Sequence, residues 1–320
     1  MGFVGRQMTE VLVQINKRLL TDPIRLTLMD NLVTGQWRES WDTNDDWLTA
    51  IESDVTQPLD IEEILPVDYV IHAAGIASPY HYRARPLETL DVATTGTRNL
   101  LELARAAHAR FVFFSSSEIY GDPDPRHIPI PESYRGNVAT MGPRACYDEG
   151  KRLGETLTYI YHEYFGLHTN IIRPFNVYGP EMGERDYRVM PNFASAVIGN
   201  RPLRVYGDGR QTRTFCYVTD ALIGFFLVTL KGVPGAPYNI GNPEPELTMH
   251  ELAEIFLQSR PKATMSLSEY PDSYPADEPR RRVPDITKAR LQLGYSPEVP
   301  MDVGINRFLT WAEKHYIGNP

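Results

Sequence analysis

The chain has 320 residues, 42% of them apolar, a formal net charge of −9 and a pI near 5.4. That length allows one large domain or two modest ones, and the acidic balance argues against nucleic acid or an acidic membrane surface as main partner, since both demand a basic footprint. An anionic ligand would need a local basic pocket. Cys146 and Cys216 are far apart in sequence and form no disulfide framework, which points to a reducing compartment. No signal peptide is visible, and the longest apolar run, 221–230 with Gly224 inside it, is too short to span a membrane. A cytoplasmic location is expected, with no metal.

The chain opens on Gly2-Phe3-Val4-Gly5, followed by a helical pattern through Val13. This looks like the end of a Gly-x-x-Gly-x-x-Gly turn, whose glycines let a dinucleotide's pyrophosphate approach the backbone at a helix N-terminus. The strand that should precede the turn, and the first glycine, are absent from the sequence. A Gly-x-x-Gly alone is also a common chance match, and the start reads as internal to a longer chain. Residues 24–30 form an alternating-to-apolar strand ending in Asp30, where such folds set a carboxylate on the adenosine ribose. Asp30 and Asn31 are the ribose and adenine candidates, although an aspartate also ends many strands before a turn. Residues 51–55 read as the next strand, ending in Asp54-Val55.

Residues 67–75 give a clear strand-to-glycine transition, and Ala73, Ala74 and Gly75 are small enough for a flat ligand to lie on the backbone. His72, inside that strand, reads as a packed residue. A helix is expected over 86–107, with proline in its first turn. Phe111 to Phe114 is a short buried strand that runs directly into Ser115-Ser116-Ser117-Glu118-Ile119-Tyr120-Gly121. Tyr147 and Lys151 then stand four apart at the head of a helix, one above the other on one face. An ammonium one turn from a phenol favours the phenolate, so Tyr147 would serve as a general base, with Ser116 sharing the proton. The pair alone does not decide, because Tyr and Lys share a face on many amphipathic helices. After a strand over 167–173 the regular alternation loosens, and two helices, near 285–293 and 303–315, close the chain. The proline-rich stretches 123–134 and 271–284 read as ordered loops.

The Ser-Ser-Ser-Glu-Ile-Tyr-Gly turn, the Tyr147-x-x-x-Lys151 pair and Arg173-Pro-Phe-Asn176-Val-Tyr-Gly-Pro180 together resemble the extended short-chain dehydrogenase/reductase family, which modifies nucleotide sugars. Within it, residues 142–152, Gly-Pro-Arg-Ala-Cys-Tyr-Asp-Glu-Gly-Lys-Arg, are most similar to the branch that decarboxylates UDP-glucuronate. The resemblance implies an α/β fold: a Rossmann-type doubly wound parallel sheet, here lacking its first strand, with a smaller C-terminal α/β substrate lobe. Residues 1–176 would bind NAD, with Gly2, Phe3, Val4, Asp30, Asn31, Asp54, Val55, Ala73, Ala74, Tyr147 and Lys151 on the cofactor. Residues 177–320 would mainly bind a UDP-sugar.

The resemblance also assigns Tyr82 to the loop near the sugar carboxylate, and Asn176, Arg188, Val189 and Tyr206 to the nucleotide sugar. Arg213 would reach the diphosphate. Ser116, Ser117 and Glu118 join Tyr147 and Lys151 in catalysis, with Arg282 as acid or phosphate clamp; Arg280, Arg281 and Arg282 equally suit a solvated face. Ser117-Glu118 is the decarboxylase arrangement, where a 4,6-dehydratase carries Asp-Glu. The implied reaction gives UDP-xylose through a 4-keto sugar. A 4-epimerase, 4,6-dehydratase or 4-dehydrogenase on another sugar nucleotide, and a sugar-nucleotide-binding protein without redox activity, are the alternatives. Three positions depart from the family pattern: Ala93 replaces an asparagine, Pro174 an apolar residue and Glu181 an arginine. A homodimer through helices 86–107 and 147–165 is also implied.

Overall fold

The strand Arg110–Phe114 (β4) is β-branched or aromatic at four of its five residues and is buried almost throughout, which suits the interior of a sheet covered on both faces. The computed structural model, which describes residues 1–38, 41, 45–269 and 279–318, places it there. Before it in the chain come β1 (Leu26–Asp30), β2 (Leu48–Glu52) and β3 (Tyr69–His72), and after it β5 (Thr169–Pro174) and β6 (Pro237–Ile240). A parallel sheet runs in the order β6-β5-β4-β3, with Val112 opposite Asn170 and Ile71 opposite Val112. β1 and β2 form a separate parallel pair. Parallel strands need crossover segments, and these are helices, chiefly α1 (Phe3–Arg18), α2 (Thr97–Ala107), α3 (Ala145–Phe165) and α4 (Val218–Lys231).

Among the described residues β1 pairs only with β2, and β3 only with β4. Between them opens one end of a cavity of about 2390 Å³, walled there by Leu26, Leu28, Val70, Ile71 and the α1 side chains Val11 and Leu12.

The expected helix 86–107 is interrupted: an α-helix at Pro86–Asp91, a π-turn at Val92–Gly96, then α2. His72 packs against this π-turn: its buried imidazole meets the Val92 carbonyl at 3.3 Å and the Thr97 hydroxyl at 3.1 Å. Ala93, in the π-turn, is buried against α3, where a Cβ on Gly150 would stand 3.2 Å from its own Cβ. One turn further along α3, a Cβ on Gly154 would lie 2.4 Å from Phe113 Cζ. Gly154→Ala should therefore lower stability by about 1–3 kcal/mol through overpacking, although alanine is the better helix former by ~1 kcal/mol. Urea midpoints of the two chains check it.

The C-terminal lobe is built from short strands. Leu203–Tyr206 pairs in parallel with Met265–Ser268, and Thr212–Arg213 lies between Leu247–Thr248 and Arg281–Arg282. One apolar core joins the lobe to the sheet, from Phe114 and Ile172 through Phe225 to Phe308. The closing helices are Thr287–Leu293 and Met301–His315. Of the proline-rich stretch 271–284, residues 271–278 lie outside the described residues.

Candidate active site

At the end of β4 the chain leaves the sheet through Ser115 and Ser116 and tightens into a 3-10 turn, Ser117–Tyr120. The Ser116 hydroxyl caps that turn by accepting the Glu118 amide at 3.2 Å. Gly121 ends it at φ +60°, where a Cβ would collide with the Asn137 carbonyl at 1.9 Å, so the turn needs glycine there. Helix α3 begins opposite, with Tyr147 in its first turn and Lys151 in its second.

Lys151 Nζ donates to the Phe114 carbonyl at 2.7 Å and lies 5.9 Å from the centre of the Tyr147 ring. A Cβ on Gly75 would stand only 3.3 Å from Nζ. The end of β3 and the end of β4 thus converge on one buried ammonium. The Tyr147 phenol shares a hydrogen bond with Ser116, and its ring stacks on Tyr82 with centroids 5.4 Å apart and planes 12° apart. Burial pushes the phenol up to about 12, against the Ser116 hydrogen bond, while Glu118 adds to the rise. Burial also lowers Lys151 to about 8. The expected lowering of the Tyr147 pKa by Lys151 is thus not what this chain alone produces: the ammonium lies over the ring, and desolvation of the phenolate outweighs it.

Glu118 Oε2 receives both Arg144 Nη2 and Arg282 Nη1. Burial favours the neutral acid, but Arg282, Arg144 and Arg213 overcome it and hold Glu118 down to about 2. Arg144 also faces Asp148, with Nε 3.4 Å from Oδ2. Burial and the neighbouring Glu118 charge push Asp148 up to about 7 despite that contact, because Arg144 and Arg282 already serve Glu118. An acid whose folded pKa exceeds its ordinary 3.8 stabilises the fold below that value and loses its contribution as pH rises through 7. Denaturant midpoints should fall between pH 5 and pH 8, and Asp148→Asn should flatten that slope.

One cavity, the same that opens between β1 and β3, gathers Ser116, Ser117, Glu118, Tyr147 and Lys151 with Tyr82, Asn176, Arg188, Val189, Tyr206, Arg213 and Arg282. Arg188 is braced by Asp186, with Nε to Oδ1 at 2.5 Å. Asn176, at φ +40°, donates its amide to the Thr214 carbonyl at 2.9 Å. Arg213 spends donors on the carbonyls of Thr212 at 2.8 Å and Pro279 at 2.5 Å. The three consecutive arginines separate: the Arg280 amide bonds Asp122, Arg281 pairs with Glu246 on the surface at 2.6 Å, and only Arg282 turns inward to Glu118.

The cofactor candidates divide as well. Gly2, Phe3, Val4, Asp30, Val55, Ala73 and Ala74 line the cavity. Asn31 and Asp54 do not; they bond each other at 3.1 Å beside it. Asp30 accepts the Leu32 amide at 2.7 Å and lies 3.5 Å from the Met1 ammonium. Gly2 caps α1, and nothing stands within 4 Å of where its Cβ would be, so the helix N-terminus faces open space. An amide-lined helix end opening on a long cavity, with a carboxylate at the end of β1 and small residues after β3, fits a dinucleotide.

Two groups in this site escape a reading of the sequence by motif alone, Arg144 and Asp148. Their signal was present, since they stand four apart and flank Tyr147. Glu181, in place of a cation, takes Arg38 Nη2 at 2.5 Å and faces Arg6 Nη1 at 3.6 Å, so it ties α1 to the loop after Asn176.

The model of the NAD dependent epimerase/dehydratase family matches residues 1–241. UDP-glucuronic acid decarboxylase 1 of Danio rerio is 38% identical over 100% of this chain and 74% of its own length. UDP-glucuronic acid decarboxylase 5 of Arabidopsis thaliana is 40% identical over 95% of this chain and 84% of its own. Among solved structures, the dTDP-glucose 4,6-dehydratase DesIV of Streptomyces venezuelae, with NAD and TYD bound, superposes with a TM-score of 0.84 at 26% identity, covering 98% of this chain and 95% of that one.

Proposed function

Because the chain belongs to the NAD dependent epimerase/dehydratase family, we propose that it is a carboxy-lyase that converts UDP-glucuronate to UDP-xylose with NAD as its cofactor. The observation that carries this reading is the single cavity joining the Tyr147–Ser116 pair to a carboxylate held between two arginines. NAD, when bound, accepts and returns the hydride at C4 and brings a positive charge to the cavity. Residues 1–176 hold it in this reading, and residues 177–320 hold mainly the nucleotide sugar.

Tyr147 takes the proton of the C4 hydroxyl as that carbon is oxidised, with Ser116 sharing the hydrogen bond and Lys151 fixing the helix against β4. The sugar carboxylate is then β to a ketone. It leaves as carbon dioxide, and the electron pair of the broken C5–C6 bond enters the C4 carbonyl as an enolate. The Ser116 and Tyr147 hydroxyls, which lie within one hydrogen bond of each other, stabilise the charge in this reading. Protonation at C5 and reduction at C4 complete UDP-xylose. Glu118 stands on the carboxylate side, and the contact of Arg282 with it supports a place for Arg282 there. Ser117 and Tyr82 shape the same end, while Arg188, Val189, Tyr206, Arg213 and Asn176 are proposed to bind the UDP part.

The test is incubation with UDP-glucuronate and NAD, following carbon dioxide, NADH absorbance and product mass together. Loss of the carboxyl mass without net NADH supports the full cycle, and accumulating NADH marks a cycle stopped at the ketone. A product of unchanged mass would replace the reading by 4-epimerisation. We also propose a cytoplasmic homodimer. Leu87, Leu153, Tyr164 and Phe165 leave an exposed apolar face on the helix from Pro86 and on α3, and both cysteines are free thiols. Light scattering should give about twice the 36.4 kDa of one chain.

A further inference from the structure

Decarboxylation consumes one proton per turnover: a sugar carboxylate plus a proton gives carbon dioxide and a new C5–H bond. The active site is buried, so that proton needs a route. This argument rests on the decarboxylase reading above.

A second, smaller cavity of about 310 Å³ lies behind the Glu118 ion pair, lined by Asp122, Asn137, Met141, Gly142, Arg144 and Asp148 among others. Met141, on its rim, is 84% exposed, so the cavity reaches solvent. Arg144 lines both cavities; Glu118 lines only the catalytic one and Asp148 only the smaller. Glu118 and Asp148 are bound to Nη2 and Nε of the same guanidinium, the two atoms of one fork edge, which sets the carboxyl groups side by side. Asp148 is 5% exposed, and its Oδ1 has no hydrogen-bond partner among the described residues. Two adjacent carboxyl groups on one cation do not both ionise readily. The groups facing Asp148 are Glu118 on the turn, Arg144 before α3, Arg282 on the strand Arg281–Arg282, Cys146 and Tyr147 on its own helix, and Asp122 across the small cavity.

We propose that Asp148 and the small cavity are the proton inlet of the decarboxylation, passing one solvent proton per turnover to Glu118. A proton from bulk solvent enters through the small cavity and protonates Asp148. The proton then passes from Asp148 to the neighbouring Glu118 against the hold of Arg144 and Arg282, drawn forward by the irreversible protonation of C5 that follows, and leaves Asp148 as carboxylate and Glu118 transiently as carboxylic acid. Glu118 gives it to C5 of the enolate, whose electron pair forms the C–H bond, and returns to carboxylate. Asp148 is thus a relay that acts through Glu118, distinct from the groups that touch the sugar. A proton held beside Glu118 is consistent with the raised pKa of Asp148.

Single-turnover kinetics of Asp148→Asn separate this from a structural role, because carbon–carbon cleavage precedes the need for the proton. The variant should release its first carbon dioxide at a rate within about twofold of the parent chain, form UDP-xylose at least about tenfold more slowly, and accumulate NADH. Asp148→Glu should restore UDP-xylose formation. Val138→Phe, which narrows the small cavity without touching Asp148, should slow UDP-xylose formation alone and keeps the proposal testable should Asp148→Asn not fold. Infrared titration should also show a carboxylic-acid band in the parent chain that Asp148→Asn lacks. Equal slowing of carbon dioxide and UDP-xylose, or parent rates in both Asp148→Asn and Val138→Phe, would overturn the inlet while leaving the decarboxylase reading intact. No carbon dioxide from the parent chain would overturn both.

Discussion

Tyr147→Phe should lower the rate of carbon dioxide release from UDP-glucuronate by about 10²–10⁴-fold, the range for losing a positioned proton-transfer group. That is about 3–5 kcal/mol of transition-state stabilisation. The substitution removes only the hydroxyl. The ring stays stacked on Tyr82 and under Lys151, so NAD and UDP-glucuronate binding should change by less than about threefold. The expected pH dependence follows from the same burial. With the phenol pushed up to about 12, C4 oxidation should speed up as pH rises from 6, until Lys151 loses its charge near 8 and the gain stops. Stopped-flow absorbance of the first NADH formed, measured across that range, reads this step apart from release of product. A rate in Tyr147→Phe within tenfold of the parent chain would remove Tyr147 from the proposed chemistry.

The catalytic pair was legible because its geometry is local. Tyr147 and Lys151 are one turn apart on a helix, and Ser116 and Glu118 follow a strand whose apolar run is unmistakable, so short-range rules place all four at one end of the sheet. Strand ends were less well placed. The strand expected over 51–55 lies at Leu48–Glu52, which carries Asp54 past the sheet and onto Asn31 instead of into the cavity. What short-range rules do not supply is how charges from distant segments pair. Arg282 and its two neighbours look alike in sequence, yet the strand pairing of Arg281–Arg282 with Thr212–Arg213 sends alternate side chains to opposite faces, Arg281 outward and Arg282 inward. The Asp148 acid and the contact of His72 with the π-turn are likewise products of packing, the first through burial beside Glu118, the second through an imidazole reaching across to another element.

Arg173→Met should destabilise the fold by about 3–5 kcal/mol, the cost of stranding one partner of a buried ion pair. Arg173, in β5, makes a two-pronged contact with Glu155 of α3, at 2.8 and 2.6 Å, and its Nη1 also donates to the Tyr120 hydroxyl at 2.7 Å and the Glu132 carbonyl at 2.9 Å. Tyr120 passes the chain of bonds on, donating to Asn239 Oδ1 in β6 at 2.8 Å. Removing the guanidinium therefore leaves a carboxylate, a phenol oxygen and a carbonyl short of a donor at once. Replacing both charges, in Arg173→Met with Glu155→Met, should recover most of the loss, since two apolar side chains leave no buried charge behind. Tyr120 is the last residue of the turn that holds Ser116, Ser117 and Glu118. The single variant should accordingly lose activity at temperatures where it remains folded, and the double variant should lose it too, because neither restores the bond that fixes Tyr120. Urea midpoints and carbon dioxide release, measured on the same three chains, separate the stability role of the pair from its bracing of the catalytic turn. Recovery of both stability and activity in the double variant would leave Arg173 with the first role alone.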